Sequence, residues 1–358
     1  SITVEAAQEQ DYEEFGKENV SKMDAVSVKA ALLKSGMFAF IKQRPYDIVA
    51  DPTVAPRAIF VSAFDTNPLA PDFELALKGE EANFQTGLDA LAKIAKTYLS
   101  ISVNQKAAAL TQAKNVTLTV FDGPHPAGNV GVQINNIAPI NKGETVWTID
   151  PQAVIFIGRL FNTGHVDLTR LVAVTGSEVK KPSYCKLKVG ALLTNVFAGN
   201  VSTDKNLRYI SGNVLTGKQI TANGFWGAFH SQVTVIPEGD DVHEMLGWIM
   251  PRFDQFSTSH SYFSWLMGKK EYTLDARVKG GERHMIMSNE YDRVLPMDIM
   301  PEYLIKAIIA GDIDRMEALG IYEVAPEDFA LCEFVCSSKM ELQRIVREGL
   351  DMLRREMC

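Results

Sequence analysis

The spacing of apolar residues divides the chain into three textures. In the first, RAIFVSAF (57–64) is a nearly continuous apolar run, the pattern of a strand buried on both faces. NFQTGLDALAKIAKTYLSI (83–101) places Leu88, Leu91, Ile94, Ala95 and Leu99 at helical spacing and predicts an amphipathic helix. NVTLTVF (115–121) alternates and is β-branched, so it predicts a strand. Strand, helix, strand in that order implies a βαβ unit and a parallel sheet. TVWTIDPQAVIFIGRLF (145–161) reads as β-rich, with a short turn at Asp150-Pro151. Ahead of these, SKMDAVSVKAALLKSG (21–36) predicts a helix with Ser21 as a capping candidate and Gly36 as its stop. RPYDIVADPTVAP (44–56), broken by three prolines, is extended or looped.

The second texture starts at RLVAVTGSEV (170–179). Short strand-like pieces follow at 170–175, 184–189, 207–211 and 230–236, with one helix candidate, GALLTNVFAG (190–199). A small mixed sheet wrapped on one helix, such as a β-grasp, fits this count. The third begins near 240, where PEGDD breaks the pattern, and is helical. MPEYLIKAIIAGDIDRMEALG (300–320) has Pro301 at a first helical position and Gly320 at a stop. SKMELQRIVREGLDMLRREM (338–357) opens with a capping box, Ser338 and Glu341, and puts Leu342, Ile345, Val346, Leu350, Leu353 and Met357 on one stripe. The expected fold class is therefore multidomain α/β and α+β. A Rossmann-like parallel sheet occupies 1–169, a β-grasp domain 170–239 and a C-terminal helical bundle 240–358.

Composition narrows the partners. Of 358 residues, 46% are apolar and 22% charged, as in globular chains, and no apolar run is long enough to span a bilayer. The net charge of −8 argues against nucleic acid and against direct electrostatic docking on anionic lipid. Four cysteines in so long a chain do not make a disulfide framework, which favours a reducing compartment.

Candidate chemistry is sparse. GNVLTGK (212–218) satisfies G-x-x-x-x-G-K, but Gln219 stands where magnesium needs a hydroxyl and no helix pattern follows, so a β-turn is expected. No G-x-G occurs anywhere, and the loop after Phe64 is bulky where a pyrophosphate needs bare backbone. The loop FDGPHPAGNVGVQINN (121–136), which holds Asp122 and His125, is either a ligand loop at the end of a parallel strand or a rigid surface turn. Phe225, Trp226, Phe229, Trp248, Phe253 and Phe256, in a region rich in methionine, suit an apolar ligand or partner face, with interdomain core as the alternative. Cys332 and Cys336 share one helical face, yet a cluster needs four ligands and only the C-x-x-x-C fragment of a ferredoxin run is present. Buried free thiols are expected there, with no metal bound.

Taken together, FDGPHPAGNVG, RLVAVTGSEVKKPSY, LRYISGNVLTGK, QVTVIPEGD and ALCEFVCSSKMELQ resemble the A-subunit family of sodium-translocating NADH:quinone oxidoreductases, over nearly the whole chain. That family is similar in plan to the flavin-carrying subunit of respiratory complex I and to the C subunit of the Rnf complex, which join a Rossmann-like flavin domain, a β-grasp (SLBB-like) domain and a helical iron–sulfur domain. The resemblance implies a scaffold that has lost both redox centres, with Cys332 and Cys336 as relic ligands. It also implies a lipoyl-like domain preceding the point where this chain opens at Ser1. The implied activity belongs to a whole complex: electron transfer from NADH to ubiquinone coupled to sodium export. The implied partners are the other subunits and ubiquinone, and the implied place is the cytoplasmic face of the bacterial inner membrane, peripherally and without a transmembrane segment. An independent soluble flavin- or iron–sulfur-containing oxidoreductase is the rival reading.

Overall fold

In the computed structural model, which describes residues 3–5, 11–202, 204–240, 249–258 and 260–357, the apolar run after Arg57 is a strand with Ile59, Phe60 and Val61 buried. It lies in a first unit formed by residues up to 64 together with 72–122 and 138–168. That unit opens with α1 (Ala25–Lys34), capped by Asp24, whose carboxylate accepts from the Ser27 amide at 2.8 Å, and ended by Gly36 at φ 75°. The cap is thus Asp24 rather than Ser21, which lies in a 3-10 turn. Then come β1 (Ile41–Arg44), β2 (Ile48–Val49), β3 (Ile59–Ser62), α2 (Phe73–Leu77), α3 (Glu81–Ile94), β4 (Thr97–Ser102), α4 (Ala108–Thr111) and β5 (Thr117–Phe121). The next helix, α5 (Val130–Ile137), belongs to the second unit, and β6 (Val146–Ile149) and α6 (Pro151–Thr163) complete the first. The sheet order is β2-β1-β6-β3-β4-β5. β6, β3, β4 and β5 run parallel, with β1 and β2 as an antiparallel margin.

Two expectations change here. The helix predicted over 83–101 stops at Ile94, and its last residues form β4 between β3 and β5. Thr97, Tyr98, Leu99 and Ile101 are β-formers, and Leu99 matched the helical phase only by coincidence. The β-rich reading of 145–161 holds only for β6, and the turn expected at Asp150-Pro151 is the start of α6, which takes the rest of that run. Asp150 accepts from the amides of Gln152 and Ala153 at 2.8 and 3.2 Å, and Pro151 sits in the first turn, where no N–H is needed.

α3 and α6 meet without any gap. A Cβ at Gly158 would lie 1.7 Å from the Asn83 carbonyl oxygen, and one at Gly87 2.1 Å from that of Val154. Each glycine lets the partner backbone approach where a methyl group would force the helices apart. Gly158→Ala is expected to cost about 2–3 kcal/mol, read as a lower unfolding midpoint by calorimetry. An unchanged midpoint would mean that these helices do not touch as described.

The second unit comprises 65–71, 123–137 and the chain from 169 onward. Its sheet contains β7 (Thr169–Thr175), β8 (Ser183–Lys188), β9 (Leu207–Ser211), β10 (Lys218–Ile220) and β11 (Gln232–Pro237), in the order β10-β9-β11-β7-β8. Only the β11–β7 pair is parallel. The helix candidate at 190–199 shrinks to the single turn α7 (Thr194–Phe197). Val172, Val174, Leu193, Phe197, Trp226, Val233 and Val235 form the sheet's core. The helical texture expected from 240 begins at α8 (Pro301–Ala310); the described residues between 249 and 300 contain only 3-10 turns, at Phe263–Met267 and Tyr291–Arg293. The helix predicted over 300–320 breaks at Gly311, φ 68°, and restarts as α9 (Ile313–Ala318) on an Asp312 cap. After α10 (Ala330–Val335), the last helix α11 (Leu342–Met357) starts later than the predicted capping box. The Ser338 hydroxyl instead donates to the His284 carbonyl at 3.0 Å. The predicted apolar stripe is buried from Leu342 to Leu353.

Candidate functional site

Cys332 lies on α10 and Cys336 just after it, both buried. The phenol of Tyr291 is 2.9 Å from Cys336 Sγ, and the Met340 amide donates to the same sulfur at 3.5 Å. Cys332 points its Sγ at the Tyr291 carbonyl oxygen, 3.9 Å away. Burial pushes the Cys332 thiol up to about 12, with the carboxylates of Asp292 and Asp328 adding to the effect. Burial and the neighbouring Cys336 hold the Tyr291 phenol well above its ordinary range. An iron–sulfur cluster needs thiolates from four positions. Here the Cys332 thiol lies toward the Tyr291 carbonyl and the Cys336 sulfur is paired with the Tyr291 phenol, and among the described residues no three His, Cys, Asp or Glu side chains gather as a metal site. This donor set does not fit a cluster. Tyr291 is 45 residues from Cys336, and nothing local in the sequence announces the pair.

The Asp122–His125 loop divides. Asp122 is exposed at the end of β5 in the first unit, whereas His125 belongs with the second. His125 Nδ1 lies 3.1 Å from the Thr66 hydroxyl, and that oxygen accepts the Gly128 amide at 2.9 Å. Thr66 thus serves as acceptor for Gly128 and as donor to a neutral imidazole, whose pKa burial lowers against the opposing charge of Asp65. Farther along, Asn129 Nδ2 donates to the Glu327 carbonyl at 3.3 Å and Asn135 Nδ2 to Glu323 Oε2 at 2.8 Å. The Asp298 amide donates to Asn135 Oδ1 at 3.1 Å. Burial raises the Glu323 pKa, with the Asn135 bond opposing. The segments after β3 and after β5 are therefore spent on polar contacts inside the second unit. In a nucleotide-binding sheet, segments at these strand ends hold the coenzyme phosphates. Thr66, Asn129, Asn135 and Glu323 were missed from sequence, because their partners lie about 60 to 200 residues away.

The aromatic candidates do not form one face. Trp226 is 1% exposed in the β-grasp core, with the Arg170 guanidinium 5.7 Å from its ring centroid. Its neighbours Phe225 and Phe229 are nearly half exposed. Phe253 and Phe256 are also exposed; Phe253 contacts Phe263 at 6.0 Å between centroids, and Phe256 contacts Phe334 at 6.4 Å. Trp248 lies outside the described residues. GNVLTGK is the turn between β9 and β10. Asn213 Oδ1 takes the amides of Leu215 and Thr216 at 2.7 and 2.9 Å, so the loop's own side chain occupies donors that a phosphate would need.

Two family models match the chain: NqrA second alpha/beta domain over residues 23–166 and NQRA C-terminal domain, of the SLBB type, over 171–222. The A subunit of the Na(+)-translocating NADH-quinone reductase of Neisseria meningitidis serogroup C is 36% identical over 357 residues, covering 99% of this chain and 79% of that protein. The corresponding protein of Yersinia pestis bv. Antiqua is 36% identical over 358 residues with the same coverage. Among solved structures, an NAD+-reducing [NiFe]-hydrogenase chain aligns at 13% identity and a TM-score of 0.44, over 94% of this chain and 64% of its own.

Proposed function

The chain belongs to the NqrA family, the A subunits of Na(+)-translocating NADH-quinone reductases, and from that premise we propose that it is the peripheral A subunit of such a complex. The complex as a whole passes electrons from NADH to ubiquinone and exports sodium. This chain contributes no redox group of its own. It supplies surface for assembly with the membrane subunits and for quinone interaction, on the cytoplasmic face of the bacterial inner membrane. Among the described residues no helix is long and apolar enough to cross a membrane.

The observation that carries the cofactor-free reading is the pair Tyr291–Cys336 beside the protonated Cys332. Its packing fills the place where the cysteine fragment suggested a cluster. The self-occupied segments after β3 and β5 support the same reading for the flavin. Phe225, Phe229, Phe253 and Phe256 are the exposed candidates for contact with quinone or with the membrane subunits; Trp226 is not.

The test is direct. Chain purified after reconstitution with FMN, iron and sulfide is expected to show no visible flavin band and no iron. A complex assembled without it is expected to lose quinone reduction while still oxidising NADH with an artificial acceptor. Stoichiometric flavin or iron on the isolated chain would favour the soluble oxidoreductase reading instead, and unimpaired quinone reduction without the chain would remove its role.

A further inference from the structure

We propose that the turn Phe263–Met267 is a lipid-anchoring tip that inserts into an anionic phospholipid bilayer. Phe263, Trp265, Leu266 and Met267 are each more than half exposed, whereas Ser264 between them is 3% exposed and pins the turn to the protein. The Phe263 amide donates to the Pro251 carbonyl at 2.9 Å, closing the loop at its base. Phe253 sits beside Phe263, and Ile249 and Met250 add exposed apolar surface nearby in sequence. Four large apolar side chains in a five-residue turn are far more than scattered surface residues require.

The occupant follows from shape and charge. The side chains of Phe263, Trp265, Leu266 and Met267 stand more than half exposed on one short turn. A fluid interface adapts to such a tip, whereas a folded partner would need a matching pocket. Tryptophan followed closely by lysine is the composition of an interfacial anchor, with the ring at headgroup depth and the amines on the phosphates. Lys269 and Lys270 come directly after the turn and are exposed. Between 260 and 287 there are five basic residues, Lys269, Lys270, Arg277, Lys279 and Arg283, against Glu271, Asp275 and Glu282. Asp275 is already paired with Arg277 and Lys279. The segment from 260 to 287 is thus net positive in a chain of net −8, with Lys269 and Lys270 the cations next to the turn in sequence, and the whole-chain charge, which argues against lipid, does not describe this segment. A modest apolar insertion and a small basic patch are each weak, but together they hold a protein at a membrane.

The inference deepens the reading of a peripheral membrane-complex subunit, yet it is tested apart from it, on the isolated full chain. The chain is expected to co-sediment with phosphatidylethanolamine/phosphatidylglycerol vesicles and not with phosphatidylcholine vesicles, and 0.5 M salt should weaken the binding. Lys269→Gln/Lys270→Gln should lower partitioning roughly thirtyfold, and Trp265→Ser/Leu266→Ser should abolish it. These positions are exposed, so both variants should keep the parent's circular dichroism. Brominated lipid should quench the parent's fluorescence and quench Trp265→Phe far less. Equal binding to neutral vesicles, unchanged binding by either variant, or sedimentation only with vesicles that contain the membrane subunits would overturn the proposal; the last result would name a protein partner instead. Loss of vesicle binding with intact assembly into the complex would uphold the anchor, and failure of assembly alone bears on the subunit reading.

Discussion

At pH 8, Cys332 is expected to react with an aromatic disulfide reagent about a thousandfold more slowly, or slower still, in the native chain than in the chain unfolded by guanidinium. The thiolate is the attacking species. Moving the thiol from 9.0 to about 12 cuts its thiolate population at a fixed pH by about a thousandfold, before access is counted. Both Cys332 and Cys336 are also closed to solvent, with Tyr291 over Cys336. The reaction should quicken about tenfold per pH unit until about 12. The linkage has the matching sign. The folded state favours the neutral thiol, so this contribution to stability is complete below about pH 9 and is lost as pH rises towards 12. Mass spectrometry of the labelled peptide resolves Cys332 from the half-buried Cys185. Rapid native labelling, or iron retained after reconstitution, would show an open pocket and remove the cofactor-free reading. Tyr291→Phe should admit reagent to Cys336 faster, since it takes away that sulfur's phenol partner without removing the ring.

What could be read in advance separates cleanly by the range of the interactions. Strands β3 and β5 and the parallel order were legible, β3 because burial on both faces leaves a continuous apolar run and β5, an edge strand with Leu118 and Val120 exposed, because its residues alternate and are β-branched. The stripe of α11 was legible for the same reason: period decides the element. Boundaries were less so. Tyr98–Ile101 fits a helix by spacing and a strand by residue type, and its place between β3 and β5 chose the strand. Asp150-Pro151 carried a start signal that the apolar context hid. Ser338 had the side chain for a cap but found a distant carbonyl, that of His284. For the candidate site, the lack of glycine after β3 and the shortage of cysteines were local facts and could be read. That Thr66 meets His125, Asn135 meets Glu323 and Tyr291 meets Cys336 could not, because each pair is closed by tertiary packing. Exposure was equally hidden: adjacent aromatics at 225 and 226 have no sequence feature that says which turns inward.

That last distinction gives the second large effect. Trp226→Ala should destabilise the chain by about 3–5 kcal/mol, the usual cost of emptying a fully buried large aromatic site, while Phe225→Ala and Phe229→Ala should each stay within about 0.5 kcal/mol of the parent. The indole fills the centre of the β-grasp core among Leu193, Phe197, Val233 and Val235. It also carries the guanidinium of Arg170, itself buried, whose Nη1 donates to the Ala228 carbonyl at 3.0 Å. Losing the ring therefore opens a cavity and removes the aromatic face from a buried cation. Phe225 and Phe229 keep nearly half their surface in water, so truncating them opens no such hole. The functional order should be reversed. Among variants that remain folded, Phe225→Ala and Phe229→Ala are expected to weaken association with the membrane subunits, whereas Trp226→Phe, which keeps most of the packing, should leave it unchanged. Denaturant melts read the first comparison and co-purification the second. If Trp226→Phe abolished association while its melt matched the parent, the indole would be a contact residue after all. If Phe225→Ala and Phe229→Ala assembled as the parent does, the exposed pair would have no part in docking, and the search for the contact would move to Phe253 and Phe256.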